Sequence, residues 1–317
     1  MMDTAIGGYF ELELRGGAHY HKDAIRLNTA RNCFEYVLRA RKYSKVYIPY
    51  YTCEVMLEPL KKCHVGFEFY HINERLEPAN EFELQENEAI LYTNYYGLKQ
   101  NCVERLAVRY ESKLIVDNAQ AFYAKPLKGI DTFYSARKFF GVADGAYLYT
   151  DCKLDEEFEQ DQSYDRMSHL LKRADVGAEF GYQDFRTNDD ALINNPIRRM
   201  SNLTGKILGS IDYESCRKKR IENYHYLDEH LKDSNKIHFE LSENNVPMVY
   251  PYLTDNAGLR NKLIENKVFV AKYWPNVLEW TKVGMLENKL TQNILAIPCD
   301  QRCSEKGMKK IIKIIVI

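Results

Sequence analysis

The sequence predicts an α/β fold, with a mostly parallel sheet in a large domain and a smaller α+β domain at the C-terminus. Three observations carry this. Short apolar runs alternate with helical patterns through the first half of the chain, the rhythm of strand-helix-strand crossovers. Asp117 and Lys138 each follow such a run, where the ends of parallel strands usually carry function. After Thr150 the rhythm gives way to a polar, charge-rich stretch, and only short strand signals return near the C-terminus.

Residues 1–26 read as an irregular arm in which the alternation Gly7-Gly8-Tyr9-Phe10-Glu11-Leu12-Glu13-Leu14 predicts a short strand. Residues 30–40 read as a helix capped by Asn28 or Thr29, whose side-chain oxygens can accept from first-turn amides. Residues 45–49 form the next strand, 51–62 its following helix, 65–70 a third strand, 89–94 a fourth, and 103–111 a helix. The runs at 113–116 and 130–135 extend the sheet. Helices are predicted over 164–172 and 213–231, and the segments 247–253, 257–265 and 294–298 supply the small domain. The chain thus divides into 1–212, a large α/β domain with its arm, and 213–317, with the boundary falling between residues 195 and 240.

Composition narrows the partners. The 44 basic and 45 acidic side chains leave no global charge bias, which argues against nucleic acid. No stretch of eighteen apolar residues occurs, no basic region precedes an apolar run at the N-terminus, and the apolar tail at Ile311–Ile317 is too short to span a bilayer. A cytoplasmic protein without membrane attachment is expected. Eight cysteines without a secretory signal read as reduced thiols, and Cys299 and Cys303 lack the second ligand pair of a zinc site, so no metal is expected. His19 and His21 alternate on a segment that reads as extended and could bind a metal or an anion, but two surface histidines are the favoured reading.

The chemistry centres on Asp117 and Lys138, twenty-one positions apart. An acid at a strand end can keep a pyridine nitrogen protonated, and an amine at the neighbouring strand end can hold an aldehyde as a Schiff base; together they point to pyridoxal phosphate. The turn Leu27-Asn28-Thr29-Ala30-Arg31-Asn32 places free amides at a helix start, which suits a phosphate, and the side chains of Thr29, Arg31 and Asn32 can add donors. An ordinary capped helix reads the same way, so the turn gains meaning only beside the acid and the lysine.

These residues resemble a divergent branch of the DegT/StrS-type sugar aminotransferase family, pyridoxal phosphate-dependent enzymes of fold type I, over nearly the whole chain. Val116-Asp117-Asn118-Ala119-Gln120-Ala121 is similar to the family's acid-x-Ala-Gln-Ala segment, in which the acid pairs with the pyridine nitrogen and the glutamine lies near the ring. Lys138 falls at the family's Schiff-base lysine. Ile48-Pro49-Tyr50-Tyr51-Thr52-Cys53 resembles the segment that supplies a ring-stacking aromatic, Arg199-Met200-Ser201-Asn202-Leu203 a helix start, and Ile297-Pro298-Cys299-Asp300-Gln301-Arg302 a C-terminal segment. The chain departs from the pattern at four places. Ala30-Arg31 replaces the phosphate-binding Gly-Thr; Cys53 replaces the stacking aromatic, leaving Tyr51 or Tyr95; Phe133 replaces a serine, leaving Ser135; and Ile197 replaces a partner-chain asparagine.

The resemblance implies transamination of a keto sugar linked to a nucleotide, with glutamate or glutamine as donor, in polysaccharide or antibiotic-sugar biosynthesis, by a homodimer. Tyr9, Asn94, Tyr95, Tyr96, Arg199 and Tyr273 are the candidate substrate contacts. Two alternatives remain at this stage: a catalytically degenerate relative that binds a sugar nucleotide or a partner, and a lyase or dehydratase using the same cofactor.

Overall fold

The computed structural model describes residues 6–316. Its main sheet contains β1 (Ile25–Leu27), β2 (Lys45–Pro49), β3 (Gly66–Tyr70), β4 (Glu88–Thr93), β5 (Leu114–Asn118), β6 (Asp131–Ser135) and β7 (Ala146–Tyr149). The order across it is β1-β7-β6-β5-β4-β2-β3. Pairs among β2 to β6 are parallel, and β7 runs antiparallel to both β6 and β1. Consequently β1 points the same way as β6, and the helix after β1 starts at the edge of the sheet where β4, β5 and β6 end.

The crossovers are α1 (Ala30–Arg41), α2 (Leu57–Lys62) and α3 (Gln100–Tyr110). Alternation decides which side of the sheet each strand residue faces. Leu91, Ile115, Phe133 and Leu148 pack with Phe34 and Val37 of α1, while their neighbours Tyr92, Val116, Tyr134 and Tyr147 enter the larger core on the other face. All five residues of β5 are buried, as expected of a central strand covered on both sides. At the sheet edge, β3 exposes Gly66, Phe67 and Glu68. Thr29 caps α1, its hydroxyl oxygen accepting from the Asn32 amide at 3.2 Å.

Beyond the sheet, the chain forms α4 (Ser168–Asp175), α5 (Tyr182–Ala191), α6 (Asn202–Gly209) and the long α7 (Tyr213–Leu231). A second sheet pairs β8 (Tyr250–Leu253) antiparallel with β9 (Ile294–Ile297), and between and after them come α8 (Leu259–Glu265), α9 (Val277–Trp280), α10 (Leu286–Asn293) and α11 (Glu305–Val316). Asp212 caps α7 by accepting from Ser215 at 2.9 Å, and the helix buries Tyr224, Leu227 and Leu231 at helical spacing. The larger core is continuous from Tyr92 through Trp274 and Leu227 to Ile311, so both parts of the chain share it.

Three expectations are corrected. The alternating segment 7–14 forms no strand; its backbone finds no sheet edge, and Tyr9 and Phe10 stand in solvent. His19 and His21 are not on the surface but 8% and 2% exposed. The His21 Nε2–H donates to the Phe122 carbonyl at 2.8 Å, which fixes the tautomer, and the Tyr149 hydroxyl lies 3.3 Å from Nδ1. Lastly, the helix expected over 51–62 begins only at Glu54, with a 3-10 turn that leads into α2, because Tyr51 and Thr52 are drawn into the core.

Candidate active site

Asp117 and Lys138 open into one cavity of about 400 Å³, at the ends of β5 and β6 and beside the start of α1. Strand register explains their meeting. Asp117 lies opposite Phe133, and the 3-10 turn Ala136–Lys138 follows directly on β6, so the lysine emerges above the acid's end of the sheet. Asp117 is 6% exposed, and its Oδ1 accepts from the Ala119 amide at 2.8 Å. Burial pushes its carboxyl above the usual range, and the positive charge of Lys138 opposes that rise.

Gln120 is buried on the same wall. Its Oε1 accepts from the Tyr96 amide at 2.8 Å, while its Nε2 is buried without a partner among the described residues. A native structure seldom leaves such a donor unpaired, and here it lines a cavity. Thr29, Ala30 and Arg31 bring the first turn of α1 to the cavity, whose amides have no intrahelical acceptor. The Thr29 hydroxyl is engaged by Asn32, and Arg31 pairs with Glu58 at 2.9 Å, so of this turn it is the backbone that remains free to bind an anion. Asn32 does not line the cavity; its side chain donates to the Asn195 carbonyl at 2.9 Å. Ser135 and Cys53 do line it, and burial pushes the Cys53 thiol up.

The tyrosines stand behind this wall rather than in it. The hydroxyls of Tyr51 and Tyr96 are 2.8 Å apart, and that of Tyr95 donates to the Tyr51 carbonyl at 2.9 Å. Asn94 accepts from the Lys99 amide at 3.0 Å, and Tyr273 packs beside Tyr96 with ring centroids 6.3 Å apart. Arg199 and Tyr9 lie elsewhere: Arg199 joins β1 and Gln160 through backbone bridges and faces the groove beneath the N-terminal arm.

Sequence reasoning missed Trp274, which lines the cavity and meets Tyr51 edge-on at 5.1 Å. It also missed α5, which supplies Tyr182, Phe185 and Arg186 to the rim and an acid, Asp189, that pairs with Arg137. The motif around Ser201 has a clear local role. Its amide and hydroxyl donate to the two carboxylate oxygens of Asp144 at 2.8 and 2.7 Å, tying the start of α6 to the loop after Lys138. Gly145 completes that loop at φ +111°, where a Cβ would sit 2.9 Å from Thr204.

At the level of sequence, neither a protein-family model nor a curated protein matches this chain. The fold is another matter. A DegT DnrJ EryC1 StrS aminotransferase from Brucella abortus superposes with a TM-score of 0.61 at 18% identity, over 92% of this chain and 85% of that one. DesV from S. venezuelae, solved in complex with a ketimine intermediate, gives 0.63 at 14% identity, over 92% and 83%. NtdA from Bacillus subtilis, with bound cofactor PMP, gives 0.61 at 17%, over 92% and 73%. The chain therefore has the fold of the DegT/StrS-type sugar aminotransferases, with the fold type I architecture expected from its motifs.

Proposed function

We propose that this protein is a pyridoxal 5′-phosphate-dependent aminotransferase that acts on a keto sugar, linked to a nucleotide, with glutamate or glutamine as amino donor. The observation that carries the reading is the grouping of Asp117, Lys138 and the unpaired Gln120 Nε2 around one cavity at the start of α1. These groups fit the cofactor: a carboxylate for a ring nitrogen, an amine for an aldehyde, a buried donor for a ring substituent, and open amides for a phosphate. When bound, the cofactor supplies an electron sink that makes an adjacent C–H bond acidic.

The chain's own residues do the rest. Asp117, once a cation lies against it, holds the ring nitrogen protonated. Lys138 reaches the cavity from a solvent-exposed position, and its amine moves a proton from the donor's α-carbon and returns it. Trp274 offers an apolar face where Cys53 cannot stack, and Tyr51 braces it from behind. The reading extends to a cytoplasmic homodimer, divided near residue 212 into a large and a small domain, and solved proteins of the same fold described as sugar aminotransferases, CalS13 from Micromonospora echinospora among them, support the sugar as acceptor.

The test is to incubate the purified protein with pyridoxal phosphate, glutamate and a panel of keto sugar nucleotides, and to follow 2-oxoglutarate. Wild type should form it and Lys138→Ala should not. Turnover that survives Lys138→Ala would remove this mechanism, and a cofactor-binding protein inactive on every acceptor would favour a non-catalytic relative.

A further inference from the structure

One buried cation ties the C-terminal part of the chain to the turn that carries Lys138. Arg220 of α7 is 2% exposed. Its Nη1 donates to the carbonyls of Pro247 and Met248 at 3.2 and 3.1 Å, and its Nη2 to that of Phe139 at 3.4 Å. The guanidinium also lies over the Phe139 ring, 4.4 Å from its centroid. Gln301 donates to the same Phe139 carbonyl at 2.8 Å, and the Phe139 amide closes the turn onto Ala136 at 3.0 Å. The residue after Lys138 is therefore held by its amide, its carbonyl and its ring.

The other end of this network reaches the part of the cavity lining that carries Gln120. The Met248 amide donates to the Tyr96 carbonyl at 2.8 Å, and the Tyr96 amide to Gln120 Oε1 at 2.8 Å. A hydrogen-bonded path thus runs from the lysine turn through Arg220, Met248 and Tyr96 to Gln120.

The arrangement is expensive. Among the described residues no carboxylate pairs with Arg220; the nearby Asp300 is taken by Arg302 in two bonds of 2.8 Å, and Arg220 Nε is buried without a partner. A buried, unpaired charge costs stability that an apolar side chain of similar volume would not. What an apolar residue cannot do is hold three carbonyls from two separate segments, Pro247-Met248 and Phe139, in one planar fork.

We propose that Arg220 is a positioning residue that sets the Lys138 amine against the Gln120 wall of the cavity. The proposal rests on the reading of Lys138 as the reacting amine, yet its first test needs no cofactor. Cofactor-free wild type, Arg220→Lys, Arg220→Met and Gln301→Met are treated with limiting acetic anhydride across the alkaline range. Acetylation of Lys138 is then measured by peptide mass spectrometry relative to the exposed Lys125. Melting temperature is recorded alongside, and the fraction of bound pyridoxal phosphate that borohydride fixes on Lys138 is the second readout.

Arg220→Lys and Gln301→Met should shift the relative Lys138 rate by about threefold or more, since small displacements at a reacting centre are costly, and should lower the fixed fraction. Gln301→Met removes the second donor to the same carbonyl from a half-buried position, so it decides the matter alone if the Arg220 variants fail to fold. A lowered melting temperature with an unchanged Lys138 rate would make Arg220 a packing residue and overturn the proposal. A wild type that takes up no pyridoxal phosphate would sink the aminotransferase reading, while the acetylation rates would still decide the positioning role.

Discussion

Gln120 and Tyr96 are joined by a 2.8 Å hydrogen bond from the Tyr96 amide to the glutamine Oε1, and the glutamine's Nε2 is left buried without a partner among the described residues. The unpaired donor is the feature of the cavity that most directly asks for a ligand. Gln120→Glu keeps an acceptor for Tyr96 and removes the donor. Its dissociation constant for pyridoxal phosphate, measured by calorimetric titration, should rise by about tenfold or more, the worth of one lost hydrogen bond and an added repulsion.

Asp117 should reveal a conflict between stability and function. Its carboxyl is pushed up by burial, so the folded protein holds that proton more tightly than the unfolded chain does, and the ionised form works against folding at neutral pH. Asp117→Asn retains an oxygen for the Ala119 amide. The cofactor-free variant should melt no lower than wild type at neutral pH, while transaminase turnover falls by about a hundredfold or more.

Gly97 brings two segments together. Its φ is +73°, and a Cβ would lie 2.4 Å from the Val246 carbonyl oxygen and 3.1 Å from that of Gln120. Gly97→Ala should cost about 3 kcal/mol in urea unfolding, from backbone strain plus overlap with backbone atoms that cannot swing aside. Because part of the crowding falls on the Gln120 carbonyl, cofactor affinity should drop with it.

His21 makes the fold sensitive to mild acid. Burial holds its pKa down at about 4 against an ordinary 6.5. The unfolded chain therefore takes up the proton first as pH falls, and the stability present above pH 6.5 is lost progressively down to about pH 4. That loss amounts to about 3 kcal/mol. His21→Gln keeps a donor for the Phe122 carbonyl and should flatten this part of the pH profile of unfolding free energy, whatever its effect on the absolute value.

The sheet was legible because its strands are short apolar runs between helical patterns, and β2 falls where the run at 45–49 places it. Asp117 and Lys138 were legible because parallel strands bring their ends together. β1 and β7 were not, since strands of three and four residues leave too few positions to show a period. The arm misled in the opposite sense: its alternation is real, but a strand needs a partner edge, and none adjoins residues 7–14. Trp274 and α5 reach the cavity by tertiary folding from far along the chain, and no local pattern marks them. His19 and His21 carried no sign of burial, because what covers them, Tyr147, Phe122 and Tyr149, lies over a hundred positions away.

The central claim is that Lys138 and Asp117 form a pyridoxal phosphate site. It is tested most directly by the absorbance spectrum of the purified protein with added pyridoxal phosphate, followed by borohydride reduction and peptide mapping. A visible band that reduction bleaches, with the cofactor fixed on Lys138, is the result the account predicts; a folded protein that gains no band, or that carries the label on another lysine, would contradict it.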